Sequence, residues 1–206
     1  MPRDSSDTRD DLVNAAERLF AEHGVYEATV RDITKLAGQR NPSVIHYHFG
    51  SVGGLRVFIL KKHGEPMDAE RCRRVAKAGA NPTTRELIEC LVVPYGNALL
   101  DPSGRNYVRI VAQFSGQFHQ WQSGADVSAP HLQSTLTAIR DAQTHLPPAV
   151  RNSRMIGALA LMTGVVAGRA IVLHKGGKPK LSHKAFLDDL TTMIAACIQA
   201  PQSSTT

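Results

Sequence analysis

The residues most suited to a chemical task lie in two short predicted helices near the N-terminus. Thr29 offers a capping hydroxyl for the first helix, whose apolar residues recur at helical spacing as far as Gly38. Asn41 and Pro42 then begin a second helix, which ends near Tyr47. Two short helices joined by a glycine-containing turn have the dimensions of a helix-turn-helix, in which the second helix presents side chains to base edges in the DNA major groove.

The side chains at the start of the second helix match the hydrogen-bonding groups of the bases. Arg40 suits guanine, Val44 suits a thymine methyl group, and Asn41 suits adenine unless its side chain caps its own helix. The hydroxyl, phenol and imidazole groups around them suit phosphate oxygens, which set register without reading sequence. The predicted DNA-binding residues are Thr29, Arg40, Asn41, Ser43, Val44, His46, Tyr47 and His48.

The charge distribution agrees with a phosphate-binding face. The formal net charge is +6 and the pI is about 9.5. Residues 28–62 hold six basic side chains against the single acid Asp32, whereas residues 1–27 hold seven carboxylates against three arginines. A basic segment that follows an acidic one favours a surface made for phosphates, and an ordinary solvated surface is the alternative.

Other kinds of chemistry have weaker support. The sequence contains no GxSxG, P-loop or HExxH motif, so nothing nominates an enzyme. His46 and His48 lie two residues apart and point to different sides of a helix, so we predict neither a metal site nor a cofactor. Three widely spaced cysteines, and a polar start without an apolar stretch, indicate a cytoplasmic protein.

These residues must be positioned by a chain whose pattern is helical throughout. It has 206 residues, of which 42% are hydrophobic and 20% charged, as in ordinary globular proteins. Periodicity predicts a first helix over 7–23 and a longer one after Ser51 that is loosened near Gly64-Glu65-Pro66. Further helices are predicted over 67–78, 83–100, 104–122, 128–145, 148–174 and 183–199. No strand pattern appears, so the predicted fold class is all-α.

Several separately placed elements of the N-terminal segment stand in a specific order. They are Leu19-Phe20-Ala21-Glu22-His23-Gly24, Ala28-Thr29-Val30-Arg31-Asp32-Ile33, Ala37-Gly38, and Ser43 through Tyr47-His48-Phe49. In this order and spacing the chain resembles the TetR family of bacterial transcriptional repressors over about residues 10–60. The resemblance implies an all-α dimer with an N-terminal three-helix helix-turn-helix DNA-binding domain. It also implies a helical C-terminal domain that binds a small molecule, whose binding moves the two DNA-reading heads apart.

Two departures from the family pattern affect the predicted DNA contacts. The turn at 38–40 is one residue longer than the commonest spacing, which places Asn41 where the family usually has a capping serine. Val52 stands where the family often has a phosphate-binding lysine. One phosphate contact is therefore missing, and whether Lys61 or Lys62 replaces it stays open.

Residues 155–173 form the longest apolar run, with a GxxxG pattern at 164–168. Its length and motif fit a membrane span that dimerises. Arg169 inside the run favours instead a soluble helix that is buried against its own domain on one side and a partner subunit on the other. In the resembled family the last two long helices form an intersubunit four-helix bundle. We therefore predict a homodimer, without membrane attachment, through the helices over 148–174 and 183–199.

The middle of the chain supplies candidates for an effector pocket. Small-molecule pockets are mostly apolar with a few placed polar groups, and the predicted lining comprises Tyr107, Phe114, Phe118, Trp121, Met162 and Arg169. Aromatic residues that merely fill the core are the alternative. Arg169 is the sharpest candidate, because a buried guanidinium needs a partner. That partner is a ligand carboxylate or phosphate, an internal Asp, or the opposite subunit. An apolar effector with one acidic group is the resulting expectation.

The sequence as a whole predicts a cytoplasmic, ligand-responsive transcriptional regulator, a repressor that a small molecule releases from a near-palindromic DNA operator. Its predicted parts are a helix-turn-helix domain over 1–62, an effector-binding and dimerisation domain over 63–200, and a disordered tail over 201–206. The alternatives are a small membrane-associated protein anchored by 155–173 and an enzyme built on the central pocket. The identity of the effector, the operator sequence and the sign of the response stay open.

Overall fold

A computed structural model describes residues 5–117 and 129–201. Nine α-helices and no strands lie within these two ranges, which confirms the all-α class. In chain order the helices are α1 (Ser5–His23), α2 (Val30–Leu36), α3 (Ser43–Phe49), α4 (Val52–Ala78), α5 (Thr84–Asn97), α6 (Pro102–Ala112), α7 (Pro130–Asp141), α8 (Pro148–His174) and α9 (His183–Gln199). Short 3₁₀ turns follow α5 at Ala98–Leu100 and α6 at Ser115–Gln117.

Helix α2 begins and ends at residues that the sequence marks for those positions. Thr29 and Asp32 form a capping box, in which the Asp32 amide donates to Thr29 Oγ1 (3.2 Å) and the Thr29 amide donates to Asp32 Oδ2 (3.4 Å). Gly38 ends the helix with a φ of 67°, which lets the Gln39 amide reach back to the Thr34 carbonyl (2.8 Å). Both ends of α2 are therefore set by local chemistry.

Two hydrophobic clusters fill the interior. The N-terminal cluster joins α1, α2, α3 and the first turns of α4, and Phe20, Ile33 and Ile45 are among its most deeply buried side chains. The C-terminal cluster joins α5 to α9, with Ile88 and Leu190 deeply buried. Burial of one such side chain stabilises a fold by about 1.5–3 kcal/mol, so the two clusters supply most of the cohesion.

Helix α6 contributes to both clusters. Val108 and Val111 belong to the C-terminal cluster, whereas Ile110 belongs to the N-terminal cluster. Phe114, just beyond the end of α6, also packs into the N-terminal cluster. Helix α6 therefore connects the two halves of the chain through its apolar side chains.

The break predicted near Gly64-Glu65-Pro66 is wrong, because α4 runs without interruption from Val52 to Ala78. Pro66 lies on the exposed face of the helix, where water can hydrate the carbonyl group that loses its amide partner. Ile59 and Asp68 are buried on either side of it. Packing on the inner face therefore keeps the helix continuous across the proline.

The helix predicted over 104–122 has different bounds, since α6 begins at Pro102 and ends at Ala112. Asp101 Oδ1 accepts a hydrogen bond from the Gly104 amide (2.8 Å), and Pro102 takes the first helical position. This cap moves the start of the helix forward, because proline at that position lacks only an amide that has no partner in any helix.

Two other predicted helices end early. Helix α5, predicted to reach residue 100, ends at Asn97 and continues as a 3₁₀ turn. Helix α7, predicted over 128–145, spans Pro130–Asp141. The next proline, Pro147, disfavours helical backbone at Leu146, which agrees with the turns that replace the last predicted residues.

A polar clasp joins the end of α6 to the end of α1. Gln113 Nε2 donates to the Phe20 carbonyl (2.8 Å), and Gln113 Oε1 accepts from the Val25 amide (2.8 Å). Arg109 Nη2 donates to the Ala21 carbonyl (2.9 Å). Carbonyl groups at the end of a helix lack intrahelical partners, so these hydrogen bonds tie the last turn of α1 to the end of α6.

Glu17 on α1 is buried against α4 and α6, with its side chain only 1% exposed. Lys62 Nζ and His63 Nε2 on α4 each lie 2.9 Å from Glu17 Oε1, and Ser103 Oγ at the start of α6 donates to Oε2. An ionised carboxylate only accepts hydrogen bonds, so all three groups donate to it. These four residues, the Glu17 cluster, tie together three helices.

The surroundings of Glu17 favour its ionised form. Burial raises the pKa of Glu17, but the hydrogen bonds from His63, Lys62 and Ser103 lower it by more, so that the pKa lies below its ordinary value of 4.5. The stability that the ionised group contributes is complete above pH 4.5, the pKa in the unfolded chain. It is lost as the pH falls through the lower pKa of the folded state.

Replacement of Glu17 by Gln should therefore destabilise the protein at neutral pH. We expect the free energy of unfolding to fall by about 1.5–3 kcal/mol, because hydrogen bonds to a charged group are lost. The difference between wild type and Glu17→Gln should narrow as the pH is lowered below 4.5. Urea unfolding followed by circular dichroism between about pH 7 and pH 3 measures both effects.

Glu22→Gln is the matched control. Glu22 pairs with Arg18 on the exposed side of α1 at 3.2 Å, so its loss should cost no more than about 0.5 kcal/mol. A Glu17→Gln variant as stable as wild type at pH 7, or one whose deficit does not change with pH, would contradict the assigned role of the buried carboxylate.

Candidate nucleic-acid interface

Helix α3 has one face fixed in the core and one face outward. Ile45 is 2% exposed and packs in the N-terminal cluster, whereas Tyr47 is 81% exposed, although large aromatic side chains are usually covered. Ser43 and His46 are also exposed, and Val44 is half-buried with part of its surface against the N-terminal cluster. The short helix therefore presents polar groups outward from a single apolar anchor.

The turn before α3 carries two further predicted residues. Arg40 and Asn41 are both exposed. Asn41 Oδ1 accepts a hydrogen bond from the Ser43 amide (2.9 Å), which satisfies a donor at the first turn of the helix. Helix α3 begins at Ser43 with Pro42 at its N-cap position, so Asn41 accepts this hydrogen bond from one residue further out than expected. Base contact by its amide nitrogen stays a prediction.

Thr29 lies exposed at the start of α2, with its hydroxyl already engaged. Thr29 Oγ1 donates to Asp32 Oδ2 (2.6 Å) while it accepts from the Asp32 amide. The hydrogen bonds from Thr29 lower the pKa of Asp32, so this carboxylate stays ionised at the helix start. A phosphate contact by Thr29 stays a prediction, and it requires the hydroxyl to leave or share the Asp32 bond.

Aromatic contacts fix α3 relative to α1 and α4. The ring centroids of Phe49 and Phe58 lie 5.4 Å apart, and the guanidinium carbon of Arg9 lies 5.7 Å from the first and 4.4 Å from the second. Such cation–π contacts contribute about 0.5–1 kcal/mol at exposed sites. Half-buried His48 meets the ring of Tyr47 edge-on at 4.9 Å. The outward face of α3 is therefore held by its neighbours.

The structure separates the two lysines considered for the missing phosphate contact. Lys62 is committed to Glu17, with 2.9 Å between Nζ and Oε1. Lys61 is exposed to solvent. Val52, at the position of the family lysine, packs against the N-terminal cluster instead. Lys61 is thus the better candidate to compensate.

The comparison with known families agrees with this geometry. Residues 12–55 match the family model of bacterial regulatory proteins, tetR family. Over this segment the chain is similar to the TetR family. The match covers α1 from Leu12 onward, all of α2 and α3 with its exposed face, and the start of α4. This part of the chain therefore has the helical arrangement of the helix-turn-helix segment to which it is similar.

Solved structures extend the likeness to the rest of the chain. A TetR-family transcriptional regulator from Rhodococcus sp. is 19% identical, with a TM-score of 0.52, over 94% of this chain and 99% of its own. The fatty acid degradation regulator FadR from Bacillus halodurans is 15% identical, with a TM-score of 0.52, over 91% and 94% respectively. At these identities the likeness concerns the TetR-family fold. No curated protein sequence matches the chain.

The predicted effector-binding residues do not form one group in the TetR-family fold. Tyr107 and Met162 are buried in the C-terminal cluster. Phe114 instead packs in the N-terminal cluster, with its ring edge-on to Tyr26 at 6.3 Å. Phe118 and Trp121 lie outside the described residues.

Arg169 has partners that the sequence did not identify. Its Nη2 donates to the Leu181 carbonyl (2.7 Å), and its guanidinium carbon lies 4.3 Å from the ring centroid of Phe186. Burial lowers the pKa of Arg169. These contacts hold the end of α8 to the start of α9. Arg169 therefore already has partners within its own chain.

Sequence reasoning missed two groups of buried charged residues. One is the Glu17 cluster, and the other is the pair of Asp68 and Arg71 in the C-terminal core. A signal was present for the pair, because oppositely charged residues three apart share a helix face. No group of three or more His, Cys, Asp or Glu side chains suited to a metal ion occurs in residues 5–117 and 129–201.

The cap at Asn41 can be tested by stability. Asn41→Ala should lower the free energy of unfolding by about 0.5–1 kcal/mol, because the Ser43 amide loses its acceptor. Asn41→Asp keeps the acceptor oxygen and should be close to wild type. Thermal and urea unfolding of the three proteins provide the measurement. Equal stability of Asn41→Ala and wild type would contradict the capping role.

Proposed function

We propose that the protein is a ligand-responsive transcriptional regulator, a repressor, that binds a near-palindromic DNA operator as a homodimer in the cytoplasm and is released by a small molecule. The observation that carries this proposal is the outward face of α3. Tyr47 is 81% exposed beside exposed Ser43 and His46, on a helix anchored by buried Ile45. The full set of proposed contacts is Thr29, Arg40, Asn41, Ser43, Val44, His46, Tyr47 and His48.

In this proposal the chain divides into the two parts expected from the sequence. Residues 1–62 read DNA, and residues 63–200 bind the effector and the partner subunit. The boundary falls inside the continuous helix α4, which carries side chains of the N-terminal cluster at one end and of the C-terminal core at the other. A continuous helix across the boundary transmits movement, because it cannot bend freely between the parts.

The proposed dimer uses uncovered surface on α8 and α9. Gly157, Gly164 and Gly168 lie along α8 with no atom near the position of an added Cβ. Ile171 on α8 and Met193 on α9 are each 41% exposed. Small residues let two helices approach closely, and the exposed apolar side chains favour burial against a second subunit.

The membrane alternative for α8 has only general support. The helix is long and apolar enough to cross a bilayer by length and composition. However, Ala158, Val166 and Ala170 belong to the C-terminal cluster, although only 33% of the most apolar window is buried inside the chain. A core helix that also meets a partner subunit accounts for the same composition.

The proposed mechanism depends on the distance between the two DNA-binding domains of the dimer. In a dimer, each α3 enters a major groove, and the two half-sites lie about one helical turn or a multiple apart. A small molecule that prefers the arrangement with wrongly spaced heads lowers DNA affinity by its difference in affinity for the two arrangements. No catalytic step is required.

Tyr47→Phe tests the DNA interface. The phenol is assigned to a phosphate, so its loss should weaken binding about two- to tenfold on every DNA sequence, as expected for one hydrogen bond. Gel shifts with the upstream intergenic DNA of the gene, at two salt concentrations and with competitor DNA, give the measurement.

Tyr26→Phe is the matched control, because Tyr26 is also exposed, at 65%, but lies outside α3. It should bind DNA like wild type. An effect of Tyr47→Phe confined to one operator position would contradict the phosphate assignment. A wild-type shift that competitor DNA abolishes completely would contradict sequence-specific binding.

Gly164→Leu combined with Gly168→Leu tests the dimer. Two leucines should prevent close helix approach, so the mass in solution should fall from twice the chain mass to 22.4 kDa. Size-exclusion chromatography with light scattering reports the mass. Ala69→Leu, on the exposed face of α4, is the control and should stay dimeric. An unchanged mass for the double variant would contradict this interface.

A further inference from the structure

The connection between α8 and α9 carries a dense run of basic side chains. Of the eleven residues at 174–184, four are lysines and two are histidines. No aspartate or glutamate occurs between residue 142 and residue 187. This segment, the basic turn, therefore has a positive charge that no acid nearby in the sequence balances, and the proposed contacts of α3 with DNA make no use of it.

Hydrogen bonds hold the backbone of the basic turn. The Gly177 amide donates to the Val172 carbonyl (2.9 Å), which folds the chain back on the end of α8. Gly176 between them has a φ of 74°, a conformation that favours glycine. On the far side of the turn, the Leu181 carbonyl accepts from Arg169 Nη2 (2.7 Å). The lysines of the turn therefore project from a backbone that is fixed at both ends.

Three of the four lysines have no partner for their charge. Lys184 pairs with Asp188, with 2.5 Å between Nζ and Oδ2. Lys175, Lys178 and Lys180 are exposed, and none of them forms an ion pair within the described part of the chain. Three like charges within six residues repel one another. The turn is therefore suited to a partner that carries several closely spaced negative charges.

The basic turn belongs to the C-terminal half but lies beside the N-terminal helices. His174 Nε2, at the end of α8, is 3.6 Å from Glu22 Oε1 in the last turn of α1. Directly after α1 the chain folds back, since the Gly24 carbonyl accepts from the Ala28 amide (3.4 Å), and the next residue is Thr29. Thr29 is one of the proposed phosphate contacts. The unpaired lysines therefore lie at the end of the molecule that carries the proposed DNA contacts.

We propose that the basic turn is a second DNA contact, in which Lys175, Lys178 and Lys180 bind backbone phosphates of the duplex that α3 reads. This inference rests on the proposed DNA-binding function and adds a contact from the C-terminal half. Duplex DNA carries one negative charge per about 1.7 Å of its length, which suits a run of closely spaced cations. Lysine meets phosphate as a point charge, and a phosphate carries no sequence information. The turn therefore raises affinity without changing the choice of sequence.

An anionic membrane is the other polyanion that a basic segment after a long apolar helix could meet. The packing of α8 favours DNA. Val166 and Ala170 are fully buried in the C-terminal cluster, close to the end of the helix that precedes the turn. Insertion of α8 into a bilayer would break up that core, whereas contact with DNA leaves it intact.

The salt dependence of DNA binding tests the proposal. A triple variant with Lys175→Gln, Lys178→Gln and Lys180→Gln should fold like wild type, because all three side chains are exposed. The plot of log K against log salt concentration should become less steep by about 0.9 for each lysine that binds a phosphate. Fluorescence anisotropy gives K for the upstream intergenic duplex and for an unrelated duplex of equal length. Both affinities should fall by the same factor.

A second triple variant removes the same number of charges from the opposite end of the molecule. It combines Arg73→Gln, Lys77→Gln and Arg85→Gln, which are exposed positions near the end of α4 and the start of α5. Helix α4 has 27 residues and is therefore about 40 Å long, so these charges lie far from the basic turn. This control should keep the slope of wild type.

Three results would overturn the proposal: a wild-type slope in the first triple variant, an equal loss of slope in the control, or a loss of affinity for the intergenic duplex alone. Vesicles of phosphatidylserine and phosphatidylcholine test the membrane alternative. Vesicle binding that the first variant loses, with its DNA slope unchanged, would assign the turn to a membrane surface. Equal affinity of wild type for the two duplexes would contradict the proposed regulator. The difference in slope between wild type and the first variant would still decide the role of the basic turn.

Discussion

The buried carboxylate of Glu17 makes the position of α1, and of α2 and α3 packed on it, depend on α4 and α6. A carboxylate with 1% exposure is stable as an ion only while its hydrogen-bond donors stay in place. Those donors, Lys62, His63 and Ser103, come from the two other helices. Any movement of α1 relative to α4 or α6 therefore removes partners from a buried charge. The cost of that loss favours discrete arrangements, held or released, over continuous adjustment.

Helix α6 restricts the position of α1 in the same way. Ser103 at its start bonds Glu17, while Arg109 and Gln113 at its end bond the last carbonyls of α1. The last two turns of α1 are thus attached to α6, and α2 and α3 pack on α1 through the N-terminal cluster. A shift of α6 in the C-terminal half consequently carries the outward face of α3 with it. The spacing of two heads in a dimer would follow.

The part of this architecture that sequence could predict is the part encoded locally. Thr29 and Ser51 cap α2 and α4 as expected, because an N-cap depends on residues within one turn. The set of outward-facing side chains on α3 follows from the helical spacing of residues close together in the sequence. The partners of Glu17 and Asp68 were missed because they come from distant segments: Ser103 is 86 residues from Glu17, and the His131 amide is 63 residues from Asp68. Periodicity carries no information about such pairs.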